Sequence, residues 1–191
     1  MRKLSRITTF LSIVVLSACN SNKQEALSEE DKTALMFLGD SISTEMQNVL
    51  LQNVAGAIQK GGTDYAVEFC NLNALPITDS IAHKYQTYIQ RLSDKNRNPA
   101  NVISSKADSL AWQKIKTDKT DFVTQNEKGE VYYYKPILLA MPTCVKCHGG
   151  KEDISASTQK LIAEKYPNDK AMGYKLGDLR GMWKIKLKEN E

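Results

Sequence analysis

The chain has 191 residues, a mass of 21.4 kDa and a formal net charge of +4. That length suits one domain, or one domain with a tail, and buries enough surface to fold without staples. A mean hydropathy of −0.42 excludes a polytopic membrane protein, and 41% hydrophobic with 25% charged residues excludes a largely disordered chain. Much of the positive charge sits in Arg2, Lys3 and Arg6. Without residues 1–18 the chain is nearly neutral, so nucleic acid is not expected as a partner.

Residues 1–18 read as a signal peptide. The basic start is followed by a mostly apolar run from Phe10 to Ala18, too short to span a bilayer comfortably. The run ends in Leu16-Ser17-Ala18-Cys19, which resembles the bacterial lipobox, whose Cys is diacylated and becomes the mature N-terminus. Cys19 is therefore the expected lipidation site. Residues 19–30 read as a polar tether and residues 31–188 as the folded domain. The acyl chains would hold that domain at a membrane surface. Asn20 in place of an Asp favours the outer membrane, facing the periplasm.

Ser28 with Asp31 is a helix start signal. Leu35, Leu38, Ile42, Met46, Val49, Leu50, Val54, Ala57 and Ile58 then recur at helical spacing, and Gly61-Gly62 predicts the stop. A second helix is expected over 64–75, broken near Pro76, and a short third one over 77–85. Tyr88 to Leu92 predicts a strand, Asn96 to Asn101 a polar loop, and 105–117 a helix with Leu110, Trp112 and Ile115 available to the core. Phe122-Val123 and Val131 to Tyr134 flank Asn126-Glu127-Lys128-Gly129 and predict a β-hairpin. Ser155 to Tyr166 predicts a helix and Arg180 to Leu187 a closing strand. Helices early and strands late make the class α+β, with an antiparallel sheet and a long N-terminal helix.

The chemistry concentrates at Cys144-Val145-Lys146-Cys147-His148. C-x-x-C-H is the attachment pattern of a c-type haem. Two thiols at this spacing can add to the two vinyl groups of one haem edge, and the next residue supplies the proximal imidazole. Export fits this reading, because such attachment takes place outside the cytoplasm. A Cys144–Cys147 disulfide is the rival in an oxidising compartment. A thioredoxin-type site would need a preceding βαβ pattern, and zinc would need a second Cys/His pair.

Four cysteines are present. Lipid and thioether bonds account for all but Cys70. It is either a small buried apolar residue or a thiolate on the distal face of the haem. Other candidates for the distal position are His83, Met141, Met172 and Met182. Arg91, Arg97 and Arg180 are candidate contacts for haem propionates, since a guanidinium matches carboxylate geometry. Surface or structural ion pairs explain them equally well.

Three segments are similar to those of the PAS-like c-type haem domains, long catalogued as a domain of unknown function and found alone or as sensory parts of bacterial signalling proteins. They are Ala66-Val67-Glu68-Phe69-Cys70 with Ala74-Leu75-Pro76-Ile77; Ile89-Gln90-Arg91-Leu92-Ser93 with Arg97-Asn98-Pro99-Ala100-Asn101; and Pro136-Ile137, Cys144 to Gly149, Tyr166 to Tyr174 and Gly177 to Gly181. Leu92 stands where the family usually has Thr, and Leu75 is an extra residue before Pro76. The resemblance spans about residues 30–188. It implies one covalent haem c ligated by His148 and Cys70, carried on a PAS-like sheet flanked by helices.

An anionic thiolate stabilises ferric over ferrous iron. A low reduction potential is expected, with Cys70 leaving on reduction and opening a position for a small ligand. The expected function is a redox or small-ligand sensor, with a periplasmic electron-transfer cytochrome as the alternative. Its partner would be a signalling protein in the first case and a redox protein in the second. No carboxylate pair or nucleophile–base set stands out near the haem motif, so an enzyme is not expected.

Overall fold

The computed structural model describes residues 26–188, the last by its backbone alone. The expected signal peptide, Cys19 and most of the tether lie outside the described residues.

Helix α1 (Glu29–Lys84) opens on Ser28, whose Oγ accepts the Asp31 N–H at 3.0 Å. Three acidic residues in its first turn favour the positive end of the helix dipole. The helix bends into two arms, 29–60 and 63–84, at the Gly pair that was expected to stop it. Gly62 has φ +71° and ψ −167°, a conformation essentially reserved for glycine.

The break expected at Pro76 does not occur. The second arm runs through it to Lys84, so there is no separate helix over 77–85. Pro76 lies on the exposed side, while Val67, Ala74, Thr78 and Ile81 are buried on the other. Thr78 Oγ1 also donates to the Ala74 carbonyl at 2.8 Å. An interior proline costs a helix about 3 kcal/mol. Each buried aliphatic side chain contributes about 1.5–3 kcal/mol, so the packed face outweighs the proline.

The strands are β1 (Tyr88–Leu92), β2 (Phe122–Gln125), β3 (Val131–Leu138) and β4 (Leu179–Lys188). They form one antiparallel sheet in the order β1-β4-β3-β2. β3 runs four residues past the expected hairpin strand. Pro136 is tolerated there because β2 pairs only with residues 131–134, so no bond on that side is lost. Helices α2 (Lys106–Asp118), α3 (Pro142–His148) and α4 (Ala156–Lys165) complete the fold.

Alternation along the strands sends side chains to two cores. Ile89, Tyr133, Trp183 and Ile185 pack against Ile42, Met46 and Ile81 of α1. Leu92, Tyr134 and Met182 pack against Ala111, Trp112 and Ile115 of α2. Leu110, expected in the core, is instead exposed one helical position from the α2 face that packs. The first arm can lie on the sheet because residue 39 is glycine: a Cβ there would fall 2.3 Å from the Tyr133 ring. The architecture is the expected α+β one, a helix-flanked antiparallel sheet with a long N-terminal helix, consistent with a PAS-like fold.

Candidate haem site

The C-x-x-C-H residues occupy α3, a helix that hydrophobic periodicity did not foretell. Pro142 starts it and Gly149 ends it, with the Gly149 N–H on the Val145 carbonyl at 2.8 Å. Helical spacing of three and four residues turns Cys144, Cys147 and His148 toward one side. Both cysteines are free, half-buried thiols. Cys144 packs with Leu139, Ala171 and Tyr174. Cys147 packs with Val67, Ile154, Ile162 and Tyr166.

The His148 side chain points inward, with Nδ1 2.8 Å from the Ala171 carbonyl oxygen. A carbonyl only accepts, so Nδ1 carries the proton and Nε2 keeps its lone pair. Burial, with the positive charges of Arg97, Arg180 and Arg91, drives the imidazole pKa well below its ordinary value. A neutral ring with a free Nε2 and a backbone acceptor behind Nδ1 is the form that binds a metal.

Cys70 comes to this place from the second arm of α1, one helical turn after Val67. Burial raises its pKa, while the charges of Arg91 and Arg97 pull the other way. It is also within electrostatic reach of Cys147 and Tyr166. Of the other distal candidates, His83 is exposed near the end of α1 and Met182 is buried in the core against α2. Met141 is exposed, and Met172 packs beside Val67 and Tyr166. Among the described residues, no group of three or more His, Cys, Asp or Glu side chains gathers as a metal-ion cluster.

The three arginines also converge, and they differ. Arg91 on β1 lies over the Trp183 ring at 5.9 Å and has no carboxylate partner among the described residues. Burial pushes its pKa down. Arg180 on β4 lies over the Tyr174 ring at 5.5 Å and donates to the Lys95 carbonyl at 3.1 Å. Its buried Nε has no hydrogen-bond partner. Burial lowers its pKa, and Arg97 and Arg91 push the same way. Arg97 is paired: Nη2 reaches Asp169 Oδ2 at 3.0 Å and the Cys147 carbonyl at 2.7 Å. Its Nε too is buried without a partner.

These features test the fit of a haem. Half-buried cations outnumber their carboxylate partners beside the thiols and the imidazole, and the buried Nε atoms of Arg97 and Arg180 are orphaned. A buried cation without an anion is costly. A group that brings two carboxylates and an iron seeking a neutral imidazole and a thiolate answers each feature, so the residues fit. Sequence reasoning missed two members of the site, the Ala171 carbonyl and Asp169. The Tyr166-Pro167-x-Asp169-x-Ala171 stretch was conspicuous, but its part in orienting His148 was not.

A half-buried neutral imidazole, three thiols and an arginine cluster beside an antiparallel sheet define a cofactor-binding domain. The chain matches the Tll0287-like family over residues 20–187 and belongs to it. A solved structure described as that of the cyanobacterial haem protein Tll0287 is similar, with a TM-score of 0.58 and 26% identity, covering 85% of this chain and 96% of that one. No curated protein matches the chain.

Proposed function

We propose that this chain is a haem protein in which Cys144 and Cys147 carry one covalent haem c, His148 is the proximal ligand and Cys70 the distal one. The observation that carries the reading is the gathering of Cys70, the C-x-x-C-H helix and the unpaired Arg91 and Arg180 around a neutral His148 with a free Nε2. Membership of a family with a haem protein supports it. Bound haem would supply a one-electron couple. The residues do the rest. Arg91 and Arg180 answer the carboxylates. Ala171 fixes the His148 tautomer. Cys70 would offer its Sγ to the iron as a thiolate, and as a free thiol it would carry a proton.

In this reading the protein is a redox or small-ligand sensor rather than an enzyme. It is held by lipid on Cys19 at the periplasmic face of a bacterial membrane, the outer one by the Asn20 criterion. It signals through another protein. A second reading, electron transfer, draws on exposed Leu138, Met141 and Leu176. Backbone bonds join the Leu139 and Gly177 segments, and the Cys144 N–H bonds to Met141 O. That apolar patch beside an attachment cysteine suits brief contact with a redox partner.

Absorption and EPR spectra of the haem-matured protein, beside Cys70→Ser, test the ligation. A low-spin ferric thiolate signal that the variant lacks is the expected result. Identical spectra would remove Cys70 from the iron and move the balance to electron transfer.

A further inference from the structure

Arg97 is bonded to the backbone around His148 and to a carboxylate, which its two neighbours lack. Its side chain is 11% exposed and that of Asp169 6%. Nη2 donates to the Cys147 carbonyl at 2.7 Å and to Asp169 Oδ2 at 3.0 Å, and lies 3.4 Å from the Ala171 carbonyl oxygen. That same oxygen accepts His148 Nδ1–H at 2.8 Å. Asp169 Oδ1 accepts the Ala171 N–H at 2.9 Å. The Tyr174 N–H bonds to the His148 carbonyl, and Gly173 N–H to that of Gly149. Residue 171 is thus gripped through its N–H by the carboxylate, and through its C=O by the imidazole and the guanidinium together.

We propose that Arg97, with Asp169 as its counter-ion, is a positioning residue that tunes His148. It holds the Ala171 carbonyl in place and sets a positive charge behind the ring, on the side away from Nε2. The inference rests on the haem reading above. Two effects follow, and they have the same sign. A carbonyl shared with a cation is a weaker acceptor, so Nδ1 keeps its proton more firmly and the ring is less anionic. A buried positive charge also favours the site holding one more electron. Both raise the reduction potential, and Asp169 offsets part of the rise.

The test is potentiometry of the matured holoprotein with mediator dyes. Wild type is compared with Arg97→Gln, Arg97→Lys and Asp169→Asn, and haem content is checked first in each. At the potential where wild type is half reduced, the reduced-to-oxidised ratio should fall about tenfold in Arg97→Gln, which for one electron is about 59 mV. It should rise severalfold in Asp169→Asn and stay within about threefold in Arg97→Lys. The ¹⁵N resonance of His148 Nδ1 should also move in Arg97→Gln, whereas a contact to a haem carboxylate alone would leave it in place. Shifts of one sign in Arg97→Gln and Asp169→Asn, or none in either, overturn the proposal, because a purely structural pair has no reason to split by sign. If Arg97→Gln does not mature, the sign in Asp169→Asn decides. If neither matures, the pair serves folding and the tuning role is refuted. Wild type without covalent haem would sink the parent reading instead.

Discussion

The unpaired arginines make a prediction about the protein without its cofactor. Arg91 is a half-buried cation with no carboxylate partner among the described residues, close enough to Arg180 for their charges to interact. An uncompensated buried charge costs several kcal/mol. Against that, Arg91 gains about 0.5–2 kcal/mol from its place over Trp183. Met has a similar apolar stem and no charge, so Arg91→Met should stabilise the haem-free protein by about 1 kcal/mol or more. At a typical urea slope of about 2 kcal/mol per molar, the midpoint should rise by about 0.5 M. The background for the assay is Cys144→Ala/Cys147→Ala, which cannot attach haem. In the same background, added haem should bind at least tenfold more weakly to Arg91→Met, a loss of about 1.4 kcal/mol. Opposite signs for stability and affinity are the mark of a residue kept for a ligand. A midpoint that falls, as for an ordinary core truncation, would refute the reasoning. So would unchanged haem affinity.

Three other predictions concern the frame that holds the site. Asp108 is buried, with Lys184 at 2.8 Å and Tyr134 Oη donating at 2.8 Å. Burial opposes its charge, but these bonds and that from Ser105 win and lower its pKa. Its contribution is therefore present above about pH 4, the ordinary carboxylate value, and lost as pH falls through the lower folded value. Lys184→Met strands the carboxylate and should cost about 3–5 kcal/mol at neutral pH by urea unfolding; a change under 1 kcal/mol would contradict the pairing. Gly62→Ala meets no atom within 4 Å, so its cost should be backbone strain alone, about 1–3 kcal/mol; unchanged stability would mean that the bend is not required. Pro76→Ala removes a proline penalty of about 3 kcal/mol, lost helix bond and ring clash together, and returns about 1 kcal/mol of chain freedom to the unfolded state. A net gain of about 2 kcal/mol is expected, and a loss would show that the arm depends on the proline.

Local signals made much of this fold legible. β1 coincides with its expected span, the Gly pair marks the bend in α1, and the hairpin and closing strand fall where alternation puts them. Pro76 misled because its cost is local, while the burial of Val67, Ala74 and Ile81 that outweighs it is tertiary. Helix α3 has seven residues, too few for a period to register. The C-x-x-C-H residues were conspicuous as chemistry, without any sign of their conformation. The three arginines looked alike in the sequence. Only the fold separates Arg97, held by Asp169, from Arg91 and Arg180, which are not. The acceptor behind His148 left no trace at all, because every residue offers a carbonyl and the chain path alone selects that of Ala171.

The fold also limits what release of Cys70 could move. The first arm of α1 is pinned on the sheet by Ile42 and Met46. The second arm is pinned at one end by Thr63 and Asp64, both bonded to the Thr158 hydroxyl, and by Val67 against α4. At the other end Ile81 sits in the main core. Between these anchors lie Cys70 and Pro76, with Leu72 and Leu75 facing solvent. The arm cannot swing as a body without breaking both cores, and each buried aliphatic group resists by about 1.5–3 kcal/mol. A response to ligand loss is therefore confined to the two turns around Pro76, where the helix already lacks a backbone bond. If the protein is a sensor, the surface that a partner reads is the outer side of this stretch, where Leu72, Leu75 and Pro76 are exposed. If it is an electron carrier, the same stretch stays in place through the redox cycle and the partner meets the patch beside Cys144. The two readings thus assign the partner to different faces of one domain.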